Sequence, residues 1–144
     1  MRVIEIEVSR VVPASAAAAW AVVADYGQDP RWRAGVATMA PEPPGLVTVG
    51  TTTAEVLRFA GRTYRSGGLV TEVGEHRFGW RTTSGLVAEG GRGVEPAGPT
   101  SARVTLRAAV RPVGAQRLLG PVLRPMLLRT LRGDLDRLAA LLAG

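Results

Sequence analysis

The stretch Leu119–Leu142, LGPVLRPMLLRTLRGDLDRLAALL, decides the fold. Leu119, Leu123, Leu127, Leu131, Leu135, Leu138 and Leu142 step by fours and threes. That spacing predicts one apolar stripe along a helix of roughly six turns. Val122, Met126 and Leu141 widen the stripe. Pro121 and Pro125 fall in its first half, and Pro125 has no N–H to donate, so a kink or a late start is expected there. Gly133 is a second weak point. A stripe this long needs an apolar surface to lie on.

The residues before it supply one. From Val49 onward the pattern is strand: Thr51–Phe59, Arg62–Val73, Arg77–Thr83, Leu86–Glu95 and Ala102–Arg111. Ala60-Gly61, Gly74-Glu75, Ser84-Gly85 and Pro96-Ala97-Gly98-Pro99 separate them, at the spacing of an antiparallel meander. The last strand alternates cleanly, Val104, Leu106, Ala108 and Val110 against Arg103, Thr105, Arg107 and Arg111. Near the start, Arg2–Val12 alternates too, with Ile4, Ile6, Val8 and Val12 opposed to Glu5, Glu7 and Ser9; Arg10 falls on the apolar parity. Pro13 ends that strand, and Ser15 can cap a helix through about Ala24 with Ala16, Ala19, Trp20 and Val23 on one face. Asp29-Pro30-Arg31-Trp32 reads as a second short helix or a loop, and Met39 to Pro44 as a run into a Pro-rich turn. A short strand over Val36–Met39 would complete the set.

Bulk properties bound the function. One domain is expected over residues 1–144, large enough to bury roughly two-thirds of its unfolded surface without a staple. There is no cysteine and only one histidine, His76, so disulfides and an ordinary zinc site are excluded. His76 belongs to a turn, where a catalytic role is disfavoured. The net charge is +6, carried by eighteen arginines and no lysine. Such usage is typical of GC-rich coding, which weakens any functional reading of the charge. MRVIEIEV alternates where a secretory signal would be continuously apolar, and no run approaches the ~20 apolar residues of a membrane span. A cytoplasmic chain without a transmembrane segment is the expectation. No phosphate loop, dinucleotide fingerprint or metal cluster appears, so no cofactor is expected.

The element order is strand, two helices, six strands, long helix. Val12-Pro13-Ala14, Trp20, Asp25-Tyr26, Trp32, Gly50, Gly61-Arg62, Val70-Thr71-Glu72, Phe78-Gly79-Trp80 and Ser101–Leu106 carry a resemblance along nearly the whole chain. It resembles the START-like helix-grip superfamily, in its polyketide cyclase/dehydrase branch. The resemblance implies an α+β fold: a curved antiparallel sheet of six to seven strands wrapped around the long C-terminal helix, with two short helices after the first strand. It implies a cavity between sheet and helix. Members include polyketide cyclases and aromatases as well as lipid, quinone and hormone carriers, so fold alone does not select a function.

Hairpin register sorts the faces. A two-residue turn at Ala60-Gly61 pairs Phe59 with Arg62, Leu57 with Tyr64, Glu55 with Ser66 and Thr53 with Gly68. The face holding Phe59, Leu57, Tyr64 and Val70 is the more apolar, hence inward, and it takes Glu55 with it. A three-residue loop after Val73 would align Val70 with Trp80 and Glu72 with Phe78, keeping Phe78 and Trp80 inward. Arg92 shares the parity of Val94 and so points inward as well, beside the small Ala88 and Gly90. Neither Glu55 nor Arg92 should be buried unpaired. Meeting the polar end of a ligand is one solution: Arg92 would hold a carboxylate, phosphate or enolate oxygen, and Glu55 would accept a hydroxyl proton or act as a base. An ion pair at the rim, or a register slip, is the other.

The ligand-binding candidates are Trp32, Met39, Glu55, Leu57, Tyr64, Ser66, Trp80, Arg92, Leu106, Leu123, Met126 and Thr130; Trp20 reads as core. The leading expectation is a binder of a hydrophobic or amphipathic small molecule, polyketide-, lipid- or quinone-like. The alternative is a polyketide cyclase, dehydratase or aromatase in which Glu55, Arg92 or Tyr64 moves protons. No nucleophile–base–orienter trio is visible, which weighs toward binding. A third alternative takes Arg58, Arg65, Arg103, Arg107 and Arg111 as a basic outer patch for RNA or an anionic membrane surface. Nucleic acid is disfavoured because no exposed aromatics interleave with these arginines, and edge charges that discourage sheet pairing explain them equally well. Oligomeric state is not readable from the sequence.

Overall fold

Nine residues of alternating polarity open the fold as β1 (Ile4–Val12), in a computed structural model that describes residues 3–144 apart from the side chain of Ala115. Arg2, included in the expected strand, lies outside the described residues. Then follow α1 (Ala16–Val23), a 3-10 helix (Tyr26–Arg31), β2 (Val36–Glu42), β3 (Thr52–Phe59), β4 (Arg62–Gly74), β5 (Arg77–Ser84), β6 (Val87–Gly98) and β7 (Ser101–Arg111). A second 3-10 segment (Gly114–Val122) leads into α2 (Leu123–Ala143). The seven strands form one antiparallel sheet in the order β1-β7-β6-β5-β4-β3-β2. The architecture is the curled sheet and long C-terminal helix of a helix-grip fold.

Local chemistry explains the boundaries. Ser15 caps α1 by accepting a hydrogen bond from the Ala18 amide at 3.2 Å. Ala60 and Gly61 both take positive φ, 53° and 75°, so β3 and β4 join through a two-residue turn. All the β3–β4 pairs expected from that turn are present. The next hairpin differs from expectation. Its turn is the two residues Glu75-His76, and Gly74 pairs with Arg77. A bulge at Thr71 restores the lost residue, so Val70 still faces Trp80, while Glu72 meets Gly79 instead of Phe78. β2 also runs on to Glu42, through residues expected to begin a turn.

The long helix departs from expectation in one way that matters. Its break is at Gly120, whose φ of 50° and ψ of −128° suit only glycine. Pro125 falls in the first turn of α2, where its missing N–H would have no helical partner anyway. It therefore permits the late start without causing a kink. Gly133 leaves the helix unbroken.

The core divides α2 in two. Leu135, Leu138 and Ala139 pack with Val8, Val12, Val94, Val104 and Leu106 of the sheet, Ala19 and Val23 of α1, and Trp32. A second cluster, Ala24, Tyr26, Val47, Val70 and Phe78, lies under the first 3-10 helix. In the N-terminal half of α2, Leu128 and Leu131 still touch the core, while Leu123, Leu127, Thr130 and Leu131 border a cavity. No helix of the described residues is long and apolar enough to cross a membrane.

Candidate functional site

The cavity has a volume of about 200 Å³ and lies between the concave sheet face and α2. From α2 it receives Leu123, Leu127, Thr130, Leu131 and Asp134, the i, i+4, i+7, i+8 and i+11 positions of one stripe. The sheet contributes Glu55, Leu57 and Phe59 of β3, Tyr64 and Ser66 of β4, Trp80 of β5, Ala88 and Arg92 of β6, and Leu106 of β7. Ten of the twelve residues singled out from sequence line it: Trp32, Glu55, Leu57, Tyr64, Ser66, Trp80, Arg92, Leu106, Leu123 and Thr130. Met39 and Met126 do not. Met39, on the edge strand β2, packs on the cluster of Tyr26, Val70 and Phe78. Met126 is one helical step off the lining stripe, rotated away from its centre. Trp20, read as core, is half-buried and packs on His76 and Phe78 at the margin of both core clusters, with ring centroids 5.5 and 6.1 Å away.

Gly90 was expected to leave room on the concave face. That space is closed: a Cβ there would run into the Arg107 carbonyl oxygen of β7 and would lie 2.8 Å from Trp80 Cζ2. The glycine makes room for a wall residue, and the wall then faces the ligand space.

Both expected charges enter the chamber, and each is paired with a group the sequence reading missed. Arg92 bonds Asp29 through both terminal nitrogens, Nη1 to Oδ1 at 2.9 Å and Nη2 to Oδ2 at 2.6 Å. Nη1 also donates to the Val23 carbonyl at 3.1 Å, so the guanidinium satisfies an end carbonyl of α1. The guanidinium carbon sits 4.7, 5.1 and 5.7 Å from the ring centres of Tyr26, Trp32 and Phe78. Arg92 thereby spends three of its five N–H groups and has its charge balanced by Asp29, and the second N–H of Nη2 and the Nε N–H have no partner among the described residues.

Glu55 is paired to Arg33 instead, Oε2 accepting from Nη1 at 3.1 Å. The same Nη1 donates to Asp29 Oδ2 at 2.9 Å. Arg33 Nε lies 3.9 Å from Asp134 Oδ2, and Asp134 in turn accepts from Arg137 at 2.6 Å. Arg137 Nε donates to the Trp32 carbonyl at 3.1 Å. Three arginines and three carboxylates thus form one chain, Arg92–Asp29–Arg33–Glu55 with a branch through Asp134 to Arg137. Asp29 has no exposed side-chain surface, whereas Glu55 keeps 15% and Arg33 17%.

Burial and pairing set the proton affinities. Asp29 is held below the ordinary carboxylate value: burial opposes its charge, and Arg92 and Arg33 more than offset that. Asp134 is raised, because burial outweighs its bond to Arg137. Tyr26 is pushed up to about 12, chiefly by burial, with Arg92 pulling the other way.

Asp29, Arg33 and Asp134 had sequence signals. Asp29 and Arg33 are an i, i+4 pair, and Asp134 and Arg137 an i, i+3 pair. Asp134 interrupts the lining stripe of α2, and a charge on an apolar stripe demands a partner. The outer arginines are interleaved with acid: β-pairing sets Arg107 opposite Glu7 and Arg103 opposite Glu95.

Comparison with known proteins agrees with this geometry. The model of a family described as polyketide cyclase / dehydrase and lipid transport matches residues 3–143. No curated protein matches the chain. Among solved structures, a START superfamily protein from Mycobacterium smegmatis aligns with a TM-score of 0.79 at 18% identity, covering 96% of this chain and 97% of its own. The Zhui aromatase/cyclase from Streptomyces sp. R1128 gives 0.82 at 12% identity, with 99% and 94% covered. A Thermus thermophilus protein gives 0.81 at 17% identity, with 96% and 97% covered. At these identities the likeness is one of fold.

Proposed function

We propose a function from one premise: the chain belongs to the polyketide cyclase/dehydrase and lipid transport family, whose model matches residues 3–143. On that premise it binds a compact hydrophobic or amphipathic small molecule between the sheet and the N-terminal half of α2. One observation carries the reading, the cavity itself. Its volume is about 200 Å³. It is smaller than the ~300–1,000 Å³ of drug-sized sites. Leu57, Phe59, Trp80, Leu106, Leu123 and Leu127 supply apolar walls, and Glu55 and Arg33 a polar end. A molecule of one or two rings suits that space better than a long acyl chain.

The assignment to a binder over a cyclase rests on Arg92. A catalyst that stabilises an enolate needs cationic N–H groups free to meet the developing charge. Arg92 spends three of its five N–H groups on Asp29 and the Val23 carbonyl, and the Asp29 carboxylate already balances its charge. Native mass spectrometry of the purified protein tests the reading. A retained or exchangeable adduct of one- or two-ring mass is expected. A protein that neither carries such an adduct nor accepts any from a panel of ring compounds would refute it.

A further inference from the structure

Resting on the reading of this cavity as a binding site, we infer that the ligand's polar end is an uncharged hydroxyl that donates a hydrogen bond to Glu55, and that the cavity rejects carboxylates and phosphates. The inference follows from which polar atoms are already occupied. Arg92, the apparent anion receptor, spends three of its five N–H groups on Asp29 and the Val23 carbonyl, and the buried Asp29 carboxylate balances its charge. Of the two other arginines on the wall, Arg107 is exposed and stands opposite Glu7, and Arg33 has three carboxylates around it: Asp29 at 2.9 Å, Glu55 at 3.1 Å and Asp134 at 3.9 Å. An anionic ligand reaching Arg33 would join three like charges in a poorly solvated chamber, which disfavours it. The balancing sixth charge, Arg137, is largely outside, with 44% of its side chain exposed.

Among the carboxylates at the cavity, Glu55 is the one with acceptor capacity left. It uses Oε2 for Arg33, and Oε1 has no partner among the described residues. Its carboxylate borders the cavity, where Asp29 is fully buried and Asp134 nearly so. A phenol or alcohol placed there donates to a charged acceptor, one of the stronger kinds of hydrogen bond. An ether or hydrocarbon of the same shape leaves that acceptor unmet, and an anion repels it.

Matched two-ring probes test this: 2-naphthol, 2-methoxynaphthalene and 2-naphthoate, titrated calorimetrically at neutral pH. The naphthol is expected to bind at least tenfold more tightly than either of the others. Glu55→Gln, checked for folding by circular dichroism, is expected to weaken the naphthol and strengthen the naphthoate, narrowing their ratio at least fivefold. Equal loss for all three probes would mark Glu55 as merely structural and overturn the inference. Naphthoate binding as tightly as naphthol to the unaltered protein would overturn it too, while leaving the binding cavity intact. Failure of all three probes to bind would refute the cavity reading beneath it.

Discussion

Asp29 is the residue on which the charged end of the chamber depends. It is fully buried and joins Arg92 to Arg33. Removing one member of a buried pair leaves the other charge uncompensated, at a cost of about 3–5 kcal/mol. Asp29→Ala and Arg92→Ala should each lose that much stability in urea denaturation, and the double variant should lose less than the sum. Glu55→Ala, half in the cavity and at one end of the chain of charges, should cost clearly less. The pH dependence has a definite sign. Asp29 is depressed in the folded state, so its contribution is fully present above the ordinary aspartate range, near pH 4, and is lost as pH falls toward its lower folded value. Asp29→Asn should therefore flatten the acid limb of a thermal-stability profile; an unchanged limb would contradict the assignment. The sequence showed Glu55 and Arg92 facing inward because parity is local, but their partners are not local. Asp29 stands 63 positions from Arg92, and only the i, i+4 spacing to Arg33 hinted that it was more than a loop residue.

At the scale of elements, two glycines in the C-terminal segment should behave oppositely. Gly120 holds a positive φ at the joint between the 3-10 segment and α2. Gly120→Ala should destabilise by about 1–3 kcal/mol, and hydrogen exchange should show the first turn of α2 opening more readily. Gly133 has helical geometry, and a Cβ there would meet only the half-exposed guanidinium of Arg137, at 3.3 Å. Gly133→Ala should stabilise by roughly 0.5–1 kcal/mol in the same denaturation assay. The leucine periodicity located α2 and its lining face. It could not locate the break, because proline is the louder signal and glycine's conformation depends on where the chain must turn. The β4–β5 hairpin teaches a similar lesson. Face assignment survived there because the bulge at Thr71 compensated a turn one residue shorter than expected. Period two reports which face a residue takes, and it is silent about paired irregularities.

For the whole molecule, the sheet and helix divide their labour along the length of α2. The C-terminal half packs into the core and holds the fold, while the N-terminal half roofs the cavity. That division was not legible in the leucine stripe, which is uniform from end to end. On the proposed reading the cavity under the N-terminal half of α2 holds a compact ligand, and filling it should abolish binding without harming the fold. Ala88, on the cavity wall in β6, is the residue to enlarge. The decisive measurement is the tryptophan fluorescence of the protein and of Ala88→Phe during titration with 2-naphthol, since Trp32 and Trp80 both line the chamber. Saturable one-site quenching in the unaltered protein, weakened at least tenfold in a variant with an unchanged melting temperature, is the predicted result. Absence of saturable quenching, or equal binding by the filled variant, would contradict it.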